Sequence, residues 1–313
     1  MFKNRLSTKL QPVFWSIAIF IVAQALTFAT VWRQGLFFEE QNINLPSQPP
    51  DVISVWPGPI TQPDGTVVDV PVYSSIGPIL IYFAVVIAVM ALVLYYMPMS
   101  LLKRLLRFLF GLLFAWGIFV ALAVWLPFRA SIAVAAVIGF AWLLYPKVWL
   151  HNSVMVLAMV SLAAVFGRFI SPWTAMVLLA ILAIYDLFAV RFGFMLWLAS
   201  KLSLSKAMPA FVFPRSGDSW NGSMEAASFT TAPDHPSVRR FSILGGGDIA
   251  FPLLVSASVF FAAGFRTALI IAGFGLLGLT GAYAIQIALL KGKPVPALPP
   301  IAVSCAIGLL LFV

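Results

Sequence analysis

Apolar runs of about 20 residues recur along this chain, and they constrain its fold more than any other feature. A helix of that length crosses the hydrocarbon core of a bilayer, which is about 30 Å thick. Inside that core every main-chain polar group must find its hydrogen bond within the protein, so such runs fold as helices. Hydrophobic residues make up 62% of the 313 residues and charged residues 9%. The sequence therefore predicts an all-α polytopic membrane protein.

Nine segments have the length and composition of membrane spans. The fourth and fifth are short and are separated only by a predicted turn around residues 146–152. Spans one to six occupy residues 12–190, a long loop follows at 191–240, and spans seven to nine fill residues 241–313 of a single membrane domain, 1–313. The predicted spans are Pro12–Trp32, Ile76–Met97, Leu106–Leu126, Ala130–Tyr145, Ser153–Gly167, Trp173–Val190, Phe241–Gly264, Thr267–Leu290 and Val295–Val313.

The distribution of Lys and Arg among the loops predicts the orientation of the chain. With the amino terminus in the cytoplasm, the cytoplasmic segments hold 15 of these residues and the opposite segments hold four. An odd number of spans then places the carboxyl terminus outside the cytoplasm. Residues 33–75 become an extracytoplasmic loop with turns at Pro57–Gly58 and Asp64–Gly65, and residues 191–240 a cytoplasmic one.

The net charge of +9 comes from short basic groups between apolar runs, which form no basic face. Nucleic acid is therefore not expected as a partner. The single cysteine, Cys305, lies in an apolar run and is predicted to be a packing residue. His151 and His235 are predicted to lie in loops as solvated residues.

Two acidic residues, Asp186 and Asp248, fall inside apolar runs, whereas the other eight lie in loops. A charged Asp at the centre of a membrane helix costs about 2.5 to 3.5 kcal/mol on insertion scales, so its presence indicates a functional site. Asp186 lies five residues before Arg191 at the end of span six. Asp248 lies eight residues after Arg240 at the start of span seven, which runs in the opposite direction. Both acids therefore reach a similar depth near the cytoplasmic side, where we expect them to meet.

Two carboxyl groups in contact in a low-dielectric site tend to hold one shared proton. An aspartic protease uses such a pair: one carboxylate takes a proton from water, the other carboxyl donates to the scissile carbonyl, and no covalent intermediate forms. The sequence leaves open which Asp has which role. It also leaves open a proton-coupled transporter or channel, although no internal repeat supports that alternative.

Three glycines, Gly245–Gly247, precede Asp248 at the predicted start of span seven. Each costs a helix about 1 kcal/mol relative to Ala, so three together need a reason. They permit close approach of two backbones, or a locally extended chain that pairs with a substrate strand. Helix packing alone is the alternative explanation.

Three motifs together resemble the signature of the presenilin and signal-peptide-peptidase superfamily of intramembrane aspartyl proteases. Tyr185-Asp186 stands in the sixth span, Gly-x-Gly-Asp ends at Asp248 in the seventh, and Pro296-Ala297-Leu298 stands at the head of the ninth. The long loop between spans six and seven is also similar. The predicted orientation matches presenilin and is opposite to that of signal peptide peptidases, and the small size is typical of microbial homologues.

The resemblance implies a presenilin-like fold and hydrolysis of peptide bonds within transmembrane segments of substrate proteins, with Asp186 and Asp248 as the catalytic pair. It implies no cofactor or metal. The partners implied are transmembrane-helix substrates and the lipid bilayer of the cell membrane, and the oligomeric state stays open. Further residues are expected to line the site or bind substrate: Tyr185, Leu244, Gly245, Gly246, Gly247, Pro296, Ala297 and Leu298.

The prepilin peptidases, which also carry Gly-x-Gly-Asp, are the alternative within the proteases. They usually have a Lys two positions past the Asp, where this chain has Ala250, and they lack the Pro-Ala-Leu element.

A transmembrane substrate must unwind locally before water can attack, because helical peptide bonds are hydrogen-bonded within the helix. We expect the unwound segment to add as a strand to residues 239–244 or 210–213 of the enzyme. Cleavage is then expected near the cytoplasmic end of the substrate span.

Overall fold

The computed structural model of the protein describes residues 2–41, 53–62, 65–192, 208–215, 217–224, 241–288 and 296–313. Within them, six helices are long and apolar enough to cross a membrane. The chain is therefore an integral multi-pass membrane protein. Its helices are α1 (Phe2–Glu40), α2 (Ile76–Tyr96), α3 (Met99–Ala123), α4 (Phe128–Leu144), α5 (Val148–Phe169), α6 (Pro172–Arg191), α7 (Gly247–Ala288) and α8 (Leu298–Phe312).

Four short strands correct the prediction of an all-α chain. Strands β1 (Gly58–Thr61) and β2 (Val67–Val70) form an antiparallel pair between α1 and α2. Strands β3 (Ala210–Pro214) and β4 (Phe241–Gly245) form a second antiparallel pair between α6 and α7. The predicted seventh span begins at Phe241, but its first residues are strand β4, and the helix begins only at Gly247. Three apolar residues and one serine, followed by glycines, suit a strand as well as a helix start.

Helix α7 covers both the seventh and the eighth predicted spans. It is 42 residues long and kinked at Gly264, where φ is 83° and ψ is 176°. Such a main-chain conformation is open to glycine and strained for other residues. The two predicted spans are therefore helical segments joined at a kink, and no loop separates them, because the helix resumes directly after Gly264.

Helix α1 is longer than its predicted span, Pro12–Trp32, and continues to Glu40. The Arg33 guanidinium binds the Glu40 carboxylate two turns further on, at 2.8 and 3.2 Å. This pairing lets polar residues extend the helix beyond the apolar run. The predicted turn at Asp64–Gly65 falls between β1 and β2, with Asp64 itself outside the described residues.

Helix α5 lies at the centre of the core and packs against α1, α3 and α7. Helices α7 and α8 also pack closely, because a Cβ on Gly278 would lie only 2.5 Å from the Cα atom of Ile301. Helix α6 packs against both α7 and α8. Helix α6 thus shares neighbours with the two helices that follow the β3–β4 pair.

Candidate active site

Asp186 lies on α6, five residues before the helix ends, and is only 2% exposed. Its Oδ2 atom accepts a hydrogen bond from the main-chain N–H of Leu298 at 3.3 Å. Leu298 is the first residue of α8, so this carboxylate lies at a helix amino terminus, where N–H groups lack helical partners and attract negative charge. Its Oδ1 atom is buried and has no hydrogen-bond partner among the described residues.

Asp248 is the second residue of α7 and is half-buried. Its carboxylate lies beside the main chain of Gly245, the last residue of β4. A Cβ on Gly245 would lie 3.1 Å from Oδ2 of Asp248. Glycine at this position therefore lets the carboxylate lie against the main chain at the end of β4.

Asp186 and Asp248 lie on α6 and α7, two helices that pack against each other. Asp186 is bonded to the main chain of α8, and Asp248 lies against the main chain of Gly245 in β4. The structure thus brings residues from three separate sequence motifs to one place.

The remaining predicted glycines and Leu244 shape the junction between β4 and α7. Leu244 is buried and pairs with Phe211 across the sheet. The N–H of Gly246 donates to the carbonyl of Pro209 at 2.9 Å, and a Cβ there would lie 2.9 Å from the same oxygen. Gly247 begins α7. Gly246 therefore allows two backbones to approach closely, which is one of the two roles considered for these glycines from the sequence.

The other predicted residues lie on α6 and before α8. Pro296 and Ala297 are half-buried at the entrance to α8, next to the bond between Leu298 and Asp186. Tyr185 is 45% exposed, and within the described chain no hydrogen bond reaches its hydroxyl. A hydrogen-bonding role for Tyr185 stays a prediction.

His151 contradicts its prediction as a solvated loop residue. Helix α5 begins at Val148 rather than at the predicted Ser153, so His151 lies in its first turn and is fully buried. The next residue, Asn152, is buried as well, and both bond to the main chain of β3. The sequence signal for this burial was the pair of adjacent polar residues, His151 and Asn152, in front of an apolar run. Such a pair can bind polar groups of a neighbouring element.

A further polar contact lies near Asp248. The Tyr283 hydroxyl, on the second segment of α7, donates to Ser16 Oγ of α1 at 2.6 Å and lies within electrostatic range of Asp248. The sequence carried no signal for this contact, because a single Tyr in an apolar span usually serves packing. In the described residues, no three His, Cys, Asp or Glu side chains come together as a metal site would require.

Residues 70–313 match the family described as signal-peptide peptidase, presenilin aspartyl protease. The chain belongs to this family. The resemblance inferred from the three motifs is thereby confirmed. No curated protein sequence matches the chain.

Two solved structures of a presenilin family intramembrane aspartate protease have a similar fold. One, in space group C222, is 18% identical and aligns over 96% of this chain and 98% of that chain, with a TM-score of 0.59. The other, in space group P2, is 19% identical and aligns over 96% of each chain, with a TM-score of 0.58. The presenilin-like fold predicted from sequence is therefore present over almost the whole chain.

Proposed function

We propose that this presenilin-family protein is an intramembrane protease in which Asp186 and Asp248 hydrolyse peptide bonds within transmembrane segments of substrate proteins. One observation carries the proposal: two apolar helices that pack against each other, α6 and α7, each carry a single acidic residue, Asp186 and Asp248. Isolated acids at membrane depth are costly, and a shared catalytic task accounts for both. Family membership supports the same class of reaction.

Hydrolysis by such a pair needs no covalent intermediate. The ionised carboxylate removes a proton from water while the water oxygen attacks the carbonyl carbon, and the protonated carboxyl donates its proton to the carbonyl oxygen. The tetrahedral intermediate then breaks its C–N bond: the leaving nitrogen takes a proton from one carboxyl group, and a hydroxyl of the intermediate returns its proton to the other carboxylate. The N–H group of Leu298 orients the Asp186 carboxylate through Oδ2, and Asp186 Oδ1 remains available for the water.

The β3–β4 pair offers a place for an unwound substrate segment. The main-chain N–H of Gly246 donates across the pair to the carbonyl of Pro209. The main-chain N–H of Val212 in β3 instead donates to a side chain of α5, on the side away from β4. Main-chain groups alternate in direction along an antiparallel strand. The main-chain groups of alternate β4 residues therefore point to its outer edge: Phe241, Ile243 and Gly245.

The outer edge of β4 leads directly to the proposed dyad. Gly245, at the end of that edge, lies against Asp248, since a Cβ added to Gly245 would lie 3.1 Å from Asp248 Oδ2. Within the described residues, no hydrogen bond reaches the outer side of Ile243. Of the two segments considered from the sequence, we therefore favour β4 as the one that pairs with substrate, which extends the sheet by a third strand.

The proposed layout has nine crossings, with the amino terminus in the cytoplasm. Helices α1 to α6 and α8 each cross once, and α7 crosses twice, once on each side of Gly264. The excess of Lys and Arg on one side supports this orientation. The dyad and β4 then lie near the cytoplasmic surface, so substrates are cut near the cytoplasmic ends of their spans.

Proteolysis of a single-span reporter by the purified protein in liposomes tests the proposal. Asp186→Ala and Asp248→Ala are each expected to lower the cleavage rate by on the order of a thousandfold or more, since both carboxyl groups act in one step. Asp69→Ala, in strand β2, is the matched control and is expected to leave the rate unchanged. A double Asp186→Ala/Asp248→Ala variant that still cleaves would disprove the dyad, and products cut at the far end of the span would contradict the orientation.

A further inference from the structure

The outer edge of β3 is covered by two side chains of α5. Asn152 Nδ2 donates to the carbonyl of Val212 at 2.7 Å, and the Val212 N–H donates to Asn152 Oδ1 at 3.0 Å. The neighbouring His151 Nε2 lies 3.0 Å from the carbonyl of Ala210. Asn152 is 3% exposed, and His151 and Val212 are fully buried. Three main-chain groups on one strand edge are therefore bound by one turn of one helix.

The pair of bonds to Asn152 reproduces what a neighbouring strand would supply. In an antiparallel sheet, two residues of a bonded pair exchange both an N–H and a C=O. A side-chain amide also carries a donor and an acceptor, so Asn152 can take the place of one residue of a further strand. An edge without such a cover is open to any extended chain. Asn152 therefore covers the outer edge of β3, whereas the outer edge of β4 stays open to pairing with an extended chain.

His151 is held in one tautomer by its neighbours. The indole Nε1–H of Trp142, on α4, can only donate, and it lies 3.3 Å from His151 Nδ1. Nδ1 therefore accepts, and Nε2 carries the hydrogen that it donates to Ala210. The ring is thus held from α4 on one side and fixes β3 on the other.

Two other bonds attach the segment after β3 to the start of α5. The N–H of Val148 donates to Gly222 at 3.0 Å, and the N–H of Met224 donates to Pro146 at 2.9 Å. A buried cluster of apolar side chains around Val212 packs in the same place. These contacts do not involve Asn152, so the segment is expected to stay attached when the side chain of Asn152 is changed.

We propose that Asn152 and His151 are positioning residues of the protease: they fix the register of β3, and through it that of β4, against the catalytic aspartates, and they restrict substrate pairing to the outer edge of β4. The inference rests on the proposed function. Register matters because a slip of two residues moves a strand by about 7 Å, more than the length of one peptide unit. A loosened β3 also offers a second edge to the substrate. Both effects change which peptide bond reaches the dyad.

The test compares Asn152→Leu, Asn152→Asp and Ser161→Ala in the full-length protein. Leu is similar in size to Asn and removes both bonds, whereas Asp keeps the acceptor and loses the donor. Ser161 is the matched control, since it is buried on the same helix and donates to the carbonyl of Gly117 on α3, away from the sheet. The readouts are the cleavage sites in a single-span reporter by mass spectrometry, KM and kcat separately, and thermal unfolding.

For Asn152→Leu, we expect the share of product from the main wild-type bond to fall about twofold or more and KM to rise about three- to tenfold, with a smaller change in kcat. Asn152→Asp is expected to give an intermediate shift. Ser161→Ala is expected to keep the wild-type cleavage pattern even if its thermal stability falls. His151→Gln, which can still donate to Ala210, is expected to shift the pattern less than His151→Leu.

A wild-type cleavage pattern and KM in folded Asn152→Leu overturn the inference. A loss of kcat alone in Asn152→Leu, of the same size as in Ser161→Ala, also overturns the inference, because a residue with only a structural role gives that result. If Asn152→Leu does not fold, the pattern from Asn152→Asp decides in the same way. An active wild-type protein that depends on both aspartates but not on Asn152 overturns only the inference, whereas cleavage without the aspartates overturns the proposed function as well.

Discussion

The two small sheets of this protein have strands of similar length and the same antiparallel pairing, yet their surroundings differ. In β3, four of the five residues are buried, and the rings of Phe211 and Phe213 stack with centroids 6.4 Å apart. In β1–β2, four of the eight residues are exposed and one is buried, and Val67 is 67% exposed. The difference therefore lies in what covers the strands and not in the strands themselves.

A two-stranded sheet alone is marginally stable in water, so its neighbours decide how rigid it is. The β3–β4 pair is packed against α5 and α1, and its β3 edge is bound by Asn152. The β1–β2 pair depends mostly on its own turn, where Gly65 donates to Gln62 at 2.9 Å. The proposed role of β3–β4, pairing with substrate beside two aspartates, needs the first arrangement. The second suffices for a connection between helices.

Burial predicts the largest difference between the sheets. Phe211→Ala removes a fully buried ring and is expected to lower the free energy of unfolding by about 3 to 5 kcal/mol. Val67→Ala, in the exposed sheet, is expected to change it by less than about 0.5 kcal/mol. Reversible unfolding of both variants in mixed micelles measures the two values. Equal losses in the two sheets would show that burial does not separate them.

Edge exposure predicts the next largest effect. The N–H of Ile243 points to the outer edge of β4, so Ile243→Pro keeps the bonds to β3 but removes a donor that the proposed substrate strand needs. We expect kcat/KM for the reporter to fall about tenfold or more, since a hydrogen bond and the close approach of the substrate are both lost. Thermal stability is expected to change little.

Thr61→Pro is the matched control for Ile243→Pro. The N–H of Gln62 donates across β1–β2 to the carbonyl of Thr66 at 2.8 Å. Because main-chain groups alternate in direction along a strand, the N–H of Thr61 points to the outer side, like that of Ile243. The chain itself has proline at equivalent outward-facing positions, Pro59 in β1 and Pro214 in β3. Cleavage by Thr61→Pro is expected at the wild-type rate. If Ile243→Pro also cleaves normally, substrate does not pair with the outer edge of β4.

The sequence predicted the membrane class and the family because both depend on features local to the chain. Hydropathy identifies spans from composition alone, and it located α2 (Ile76–Tyr96) and α6 (Pro172–Arg191) to within one residue at each end. The charges at the ends of spans six and seven predicted matched depths for Asp186 and Asp248. The opposite directions of these neighbouring spans predicted that the two acids meet.

What the sequence did not predict depends on contacts between distant segments. The apolar start of β4 is compatible with helix as well as strand, and only its antiparallel pairing with β3, in the register Ala210–Gly245 to Pro214–Phe241, decides between the two. His151 was assigned to a loop because polar residues usually end a span. Its partners, Trp142 and Ala210, become visible only in the folded chain.

Backbone strain predicts the smallest effect, and it is confined to one sheet. Gly65 has φ of +82°, a conformation that costs an L-residue about 1 kcal/mol or more. Gly65→Ala is therefore expected to speed hydrogen exchange of the bonded amide of Val68 about fivefold, through local opening of β1–β2. Gly65→Asn, which tolerates this conformation better, is the control and is expected to exchange more slowly than the Ala variant. Because β3–β4 is held by its own neighbours, exchange there and the cleavage rate are expected to stay at wild-type values. A loss of activity in Gly65→Ala would instead mean that the two sheets are coupled through the helices between them.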